Sequence, residues 1–264
     1  MKIRNHKLTV SYDGTLFKGW QIQANPATVQ GHLERVLARC WGERITLHGS
    51  GRTDSGVHAD AQIAHFKAAA KFKSLSALQA ALNHHLPPQI RVTRAQYADD
   101  DFHARFSAKG KEYRYRICNH PFQDPFEINR SWHIPRPLNI TEMKKAARLF
   151  VGEHDFASFT SNPGYARATT VRRVTHVSVS VNGPLITVSV RGAGFLYRMV
   201  RNIVGALVTV GLGRLTASET RQILNAKCRG VAPNTAPAHG LYLHKVFYKT
   251  AAQRTPSKQS QKLS

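Results

Sequence analysis

The chain has 264 residues, with 38 Lys and Arg against 15 Asp and Glu, a formal charge of +23, and 42% hydrophobic residues. That apolar content supports a packed core and excludes an intrinsically disordered chain. The basic charge runs along the whole sequence and favours a polyanionic partner: RNA, DNA or an anionic membrane surface.

In chain order, Lys7–Tyr12 alternates and ends at Asp13-Gly14, a strand and a turn. Val29, Leu33, Val36, Leu37 and Cys40 share one helical face, with Thr28 as N-cap. A strand is expected around Ile63, and a helix carrying Leu75, Leu78, Leu82 and Leu86 stops at Pro87-Pro88. Ile90–Tyr97 reads as the next strand. The first half is therefore β, α, β, α, β, with helices on one face of a sheet.

The second half begins near Phe106. Lys111–Ile117 alternates as a half-buried strand. Met143, Ala146, Ala147 and Phe150 mark a helix closed by Gly152. Val171–Val181 and Leu185–Val190 form a hairpin at Asn182-Gly183. Leu196, Val200, Ile203, Val204 and Leu207 line a helix, and Thr216-x-x-Glu219 is a capping box opening another. Leu241–Tyr248 is a final strand. The expected organisation is an α+β chain with halves at 1–105 and 106–249. The basic, polar tail at 250–264 is expected to be disordered.

Cys40, Cys118 and Cys228 lie far apart in no Cys-x-x-Cys pair, which argues against a disulfide framework. The 14 histidines show no ligand spacing, so no zinc site is expected. No Walker loop, dinucleotide fingerprint or serine elbow is present, and no cofactor is expected. Residues 1–7 lack the apolar core of a signal peptide. The apolar run at 203–210 is interrupted by Gly205 and too short to span a bilayer. A cytoplasmic protein is expected.

The chemistry concentrates in Gly49-Ser50-Gly51-Arg52-Thr53-Asp54-Ser55-Gly56-Val57-His58-Ala59. One carboxylate sits among glycines, which let a backbone turn tightly and a ligand come close. Asp54 is the candidate acid, base or nucleophile; a loop or helix cap is the structural alternative. An ionised Asp54 needs a nearby guanidinium, and Arg52 and Arg201 are the candidates. Arg201 falls off the apolar stripe of its helix, where a solvated face is the plain reading. Tyr113 and Tyr115 share one strand face and serve either core packing or base stacking. Arg114 and Arg116 on the opposite face bind phosphate or face water.

These residues resemble the signature of the TruA family of tRNA pseudouridine synthases. The resemblance includes Tyr12-Asp13-Gly14-Thr15, Phe17-x-Gly19-Trp20-Gln21, Thr28-Val29-Gln30-Gly31 and the Asp54 loop. It continues through Phe102–Ala108, Tyr113-Arg114-Tyr115, His154-Asp155-Phe156-x-Ser158-Phe159, Phe195–Gly205 and Ala236–Leu241, in family order over roughly residues 7–245. Ser55 stands where the family usually has Ala, and Ala238 where Pro is common.

The resemblance implies a pseudouridine synthase fold, with two ferredoxin-like α+β halves forming one continuous sheet around a basic cleft. It implies a cytoplasmic homodimer acting on tRNA at uridines of the anticodon stem-loop, positions 38, 39 and 40. Asp54 then maps to the nucleophile, Arg201 to its ion-pair partner, Arg52 to the arginine that displaces the target base, and Tyr113 to the tyrosine that stacks on the uracil. Two other readings stand beside it. One is a non-catalytic RNA-binding or chaperone protein. The other is an RNA-cleaving enzyme using His84, His85 or His103.

Overall fold

The computed structural model describes residues 2–23, 27–162, 164 and 168–249. The expectation for the 250–264 tail lies outside the described residues.

The first half runs β1 (Ile3–Tyr12), α1 (Val29–Trp41), β2 (His48–Gly49), β3 (His58–Ala69), α2 (Leu75–His85) and β4 (Ile90–Ala98). Thr28 caps α1 by accepting from the Gly31 N–H, and Gly42 ends it in the left-handed region. Ser74 caps α2 in the same way, accepting from Ala77 N–H. The second half runs β5 (Ala108–Cys118), β6 (Trp132–His133), α3 (Ile140–Arg148), β7 (Gly152–Asp155), β8 (Val171–Asn182), β9 (Leu185–Gly192), α4 (Met199–Gly211), α5 (Ala217–Ala226) and β10 (Leu241–Tyr248). The capping box of Thr216 and Glu219 opens α5 as expected.

The ten strands of the described residues join one mixed sheet, whose main path is β4-β1-β3-β10-β5-β9-β8-β7. The last strand is the seam. β10 runs antiparallel to β5 and pairs in parallel with β3 at Tyr242↔His58 and Leu243↔Ala59. β10 therefore welds the second half to the first. Val179, Val188, Tyr115 and Leu241 lie in register across four strands and are all buried. The intervening residues Arg114 and Arg116 point to the other face, as strand alternation requires. There Arg114 pairs with Glu112 at 3.1 Å, and Arg116 lies over the Tyr242 ring at 4.4 Å.

Three short strands have no counterpart in the sequence reading. β2, β6 and β7 hold two to four residues each, too few for alternation to register. The helix expected from Leu196 starts later, at Met199. Arg198 immediately before it takes a left-handed φ of 58°, and that turn releases Leu196 and Tyr197 from the helix.

His65 in β3 is 5% exposed, and its Nδ1 accepts a hydrogen bond from the Ala104 N–H at 3.1 Å. Its ring meets those of His103 and His48 at 4.5 and 5.1 Å. Burial first, then the two neighbouring histidines, push its pKa down to about 4. The unfolded state therefore takes up a proton near pH 6.5 that the folded state refuses until about pH 4. Stability from this group is full above pH 6.5 and falls by about 1.4 kcal/mol per pH unit down to that lower value. Chemical denaturation of wild type and His65→Gln between pH 7 and pH 4 checks this. Wild type should lose its advantage over the variant as pH falls.

Candidate active site

The Asp54 loop joins β2 to β3 and is tied down on both sides. Ser50 N–H donates to Ile63 O, and the Ser50 hydroxyl donates to Gln62 Oε1 at 2.6 Å. Gln62 Nε2 donates to Gly51 O, and Trp20 N–H donates to Thr53 O at 3.1 Å. The hydroxyls of Tyr12 and Thr53 meet at 2.8 Å, both buried. Beyond Asp54, the Ser55 hydroxyl donates to Phe17 O at 3.2 Å. Asp54 is thus held on a loop whose backbone is hydrogen-bonded to the sheet and to the Gly14–Trp20 segment.

Gly19 makes that approach possible. Its φ is +86°, and a Cβ there would stand 2.5 Å from Thr53 O. Gly19→Ala should cost at least about 1–2 kcal/mol from the left-handed backbone alone and push the Asp54 loop outward. Thermal melts together with turnover assays check this: both should drop, and turnover by the larger factor.

The opposite wall is α4. Arg201 Nη1 donates to Asp54 Oδ2 at 3.0 Å, and Arg201 Nε donates to Ala236 O at 2.8 Å. The side chains are 12% and 25% exposed respectively, so the pair is partly withdrawn from water. Ala236 N–H returns a bond to Arg201 O at 3.1 Å. The 234–236 segment packs tightly on the helix at Gly205, where a Cβ would meet Asn234 O. The solvated-face reading of this helix is overturned. Asn202 is buried, donating to Phe159 O and accepting from the Thr235 hydroxyl at 2.6 Å. An off-stripe polar residue on α4 points into protein because both sides of the helix are covered.

Asp54 and Arg201 come from the two halves, and the cleft between them holds about 1230 Å³. That exceeds the usual span of small-molecule pockets, about 300–1,000 Å³. Among the described residues, Asp54 is the one acid lining it. Lys18, Arg52, Arg105, Lys111, Arg198 and Arg201 supply positive charge. Such a groove suits a phosphate backbone leading to a single half-buried carboxylate.

Of the residues expected at the site, the structure brings Asp54, Arg201, Arg52 and Tyr113 to this cleft. Arg52 is exposed and, among the described residues, pairs with no carboxylate; Arg201 alone is the partner of Asp54. Tyr113 is 8% exposed, and its ring meets Phe195 edge-on at 5.2 Å. Burial, then Tyr12 and Asp54, push its phenol above the ordinary range, so it stays protonated. Tyr115 is fully buried, and its hydroxyl donates to Pro237 O, so it packs the core. His84, His85 and His103 do not line the cleft. The sequence reading missed Lys111 and Phe195. Lys111 had a usable signal: it is in phase with Tyr113 on an alternating strand.

Comparison with known proteins returns one consistent answer. A family model described as tRNA pseudouridine synthase matches residues 8–107 and 146–249. A tRNA pseudouridine synthase A from Methylacidiphilum infernorum is 47% identical over 248 residues, covering 94% of this chain and 97% of that protein. Proteins of the same description from Thermoanaerobacter sp. and Acetivibrio thermocellus are 46% and 43% identical, each over 93% of this chain and 100% of their own length.

Proposed function

The chain belongs to the tRNA pseudouridine synthase family, and from that premise we propose that its cleft isomerises uridine to pseudouridine in tRNA with Asp54 as nucleophile. The observation that carries this is the Asp54–Arg201 pair, 3.0 Å long, in a cleft whose other charged lining residues, among those described, are all cations. The basic walls take the tRNA by shape and phosphate contacts. The target uridine leaves its stack at a cost of a few kcal/mol, roughly. Exposed Arg52 displaces it, and Tyr113 supports the uracil from the sheet side.

Covalent attack by Asp54 then splits a hard rearrangement into easier steps. The N1–C1′ bond breaks, the uracil turns within the cleft, C5 bonds to C1′, the C5 proton is lost, and N1 takes one up. The attack falls on ribose C1′, runs through a glycal, or falls on uracil C6. The product is an isomer of the substrate, so the balance requires no other reactant.

The finer reading assigns the substrate uridines to the anticodon stem-loop and the working form to a cytoplasmic homodimer. Support for a second copy comes from one loop that leaves Phe122, Phe126 and Ile128 in water, 79%, 81% and 54% exposed. No described helix is long and apolar enough to cross a membrane.

The test is to treat unmodified tRNA transcripts with the protein and tag pseudouridine with a carbodiimide, because the isomer has the mass of uridine. Nuclease digestion and mass spectrometry then locate the tagged residues. Pseudouridine at positions 38 to 40 alone supports the reading. Pseudouridine elsewhere retains the isomerase and discards the stem-loop. None in any tRNA discards the enzyme.

A further inference from the structure

Lys111 has no role in the mechanism above, and this inference rests on that mechanism being the right one. It precedes Tyr113 by two residues on β5, so both side chains leave the same face and line the same cleft. Its ammonium stands against the Asp54 loop: a Cβ placed on Gly51 would come within 2.5 Å of Nζ. The residue is half-buried. Among the described residues, no carboxylate lies within 4.0 Å of its ammonium and no hydrogen bond engages it. Burial, with Arg105 as a like charge nearby, pushes its pKa down to about 8. A partly desolvated cation without a counter-charge is costly, and one beside reacting atoms is a candidate functional group.

The chemistry needs such a cation. At rest the one negative charge of the cleft is on Asp54, and Arg201 holds it. Every route open to Asp54 moves that charge onto the base. In attack at C1′, the carboxylate oxygen bonds C1′, and the C1′–N1 electron pair leaves with the uracil. In the glycal route, Asp54 takes the C2′ proton, a C1′–C2′ double bond forms, and the same pair leaves on N1. In addition to C6, the C5–C6 π pair passes through C4 to O4. Each leaves the aspartyl group neutral and the base anionic. When C5 bonds C1′ the charge returns to Asp54, which in the glycal route gives its proton back to C2′; the C5 proton then goes to solvent as N1 takes one up. Arg201 serves the two ends of this sequence; the middle needs a second cation facing the base.

We propose that Lys111 is that second cation, its ammonium pairing with the anionic uracil through a ring carbonyl oxygen while the base is detached or added to Asp54. This makes Lys111 a catalytic residue.

The test measures single-turnover rates at saturating tRNA, and Kd for tRNA, with wild type, Lys111→Met, Lys111→Gln and Lys111→Arg. Each is run on tRNA carrying uridine or 5-fluorouridine at the target. Fluorine stabilises the uracil anion without help from the protein. It also leaves no C5 proton to lose, so the readout there is C-glycoside formation after nuclease digestion. The Met and Gln variants should lose about 10²-fold in rate on uridine, the scale of removing one preorganised charge-stabilising group. Kd should stay within about threefold, and Arg should recover most of the rate. On 5-fluorouridine the loss should shrink to about tenfold or less.

Unimpaired rates in Met and Gln overturn the role. So does a loss confined to Kd, which marks a phosphate contact, and so does an equal loss on both substrates, which marks a structural residue. A wild type that forms no pseudouridine overturns the proposed function itself, and this role with it.

Discussion

Asp54→Asn should lose at least about 10⁴-fold in pseudouridine formation while keeping its fold and its grip on tRNA. The magnitude is that of removing a nucleophile from a site that otherwise remains assembled. The amide keeps the shape of the carboxylate and one oxygen to accept from Arg201 Nη1, now 3.0 Å from Oδ2. What it lacks is the charge that must bond to carbon or take a proton. The loop does not depend on that carboxylate, because its backbone is held through Ser50, Gly51, Thr53 and Ser55. Melting temperature should therefore move little, and tRNA affinity should stay within a few-fold, since the cleft's cations remain. Single-turnover kinetics beside filter binding separate the two. A variant that still isomerises uridine, or one that stops binding tRNA, contradicts the assignment.

Arg201→Lys should cost about 10²-fold in turnover and some stability, although it keeps a positive charge. Arginine uses two arms of a planar fork: Nη1 to Asp54 and Nε to Ala236 O. A lysine ammonium is a point charge on a flexible stem and cannot hold both positions in that geometry. Either Ala236 O or Asp54 then loses its partner, at a cost of about 1–3 kcal/mol for a buried group left unsatisfied. Because Arg201 acts by holding Asp54, the loss should appear in kcat, with KM for tRNA changed by no more than about threefold. A rise in KM with kcat preserved would make Arg201 a binding residue instead.

Much of this was readable from the residues. Alternation at Lys7–Tyr12 and Lys111–Ile117 and the run around Ile63 located the strands at 3–12, 108–118 and 58–69, though not their full lengths, and Asn182-Gly183 fixes a hairpin through turn chemistry. The Asp54 loop was legible because glycines beside a single carboxylate have few structural uses. The residues alone narrowed its partner to two arginines, the resemblance pointed to Arg201, and the structure pairs Arg201 with Asp54. Arg201 lies 147 residues away and reaches Asp54 because β10 inserts between β3 and β5. No local pattern encodes that insertion.

Tyr113 and Tyr115 looked equivalent by phase. The resemblance singled out Tyr113, and the structure separates the two: Tyr115 donates to Pro237 O and meets the Trp132 ring, whereas Tyr113 lines the cleft. Lys111 was overlooked for a related reason. In a half-buried strand a lysine reads as the solvent side, and its place in phase with the tyrosines contradicts that only once the loop above Gly51 is seen.

The most direct measurement is release of tritium from tRNA labelled at uridine C5, using purified protein with neither metal nor nucleotide added, and wild type run beside Asp54→Ala. Release by wild type alone, with the tRNA at full length, is the predicted result, because replacing the C5 proton with a C5–C1′ bond is what the isomerisation requires. Tight binding with no release from any tRNA would contradict it and leave an RNA-binding protein. Shortened tRNA would contradict it in favour of an RNA-cleaving one.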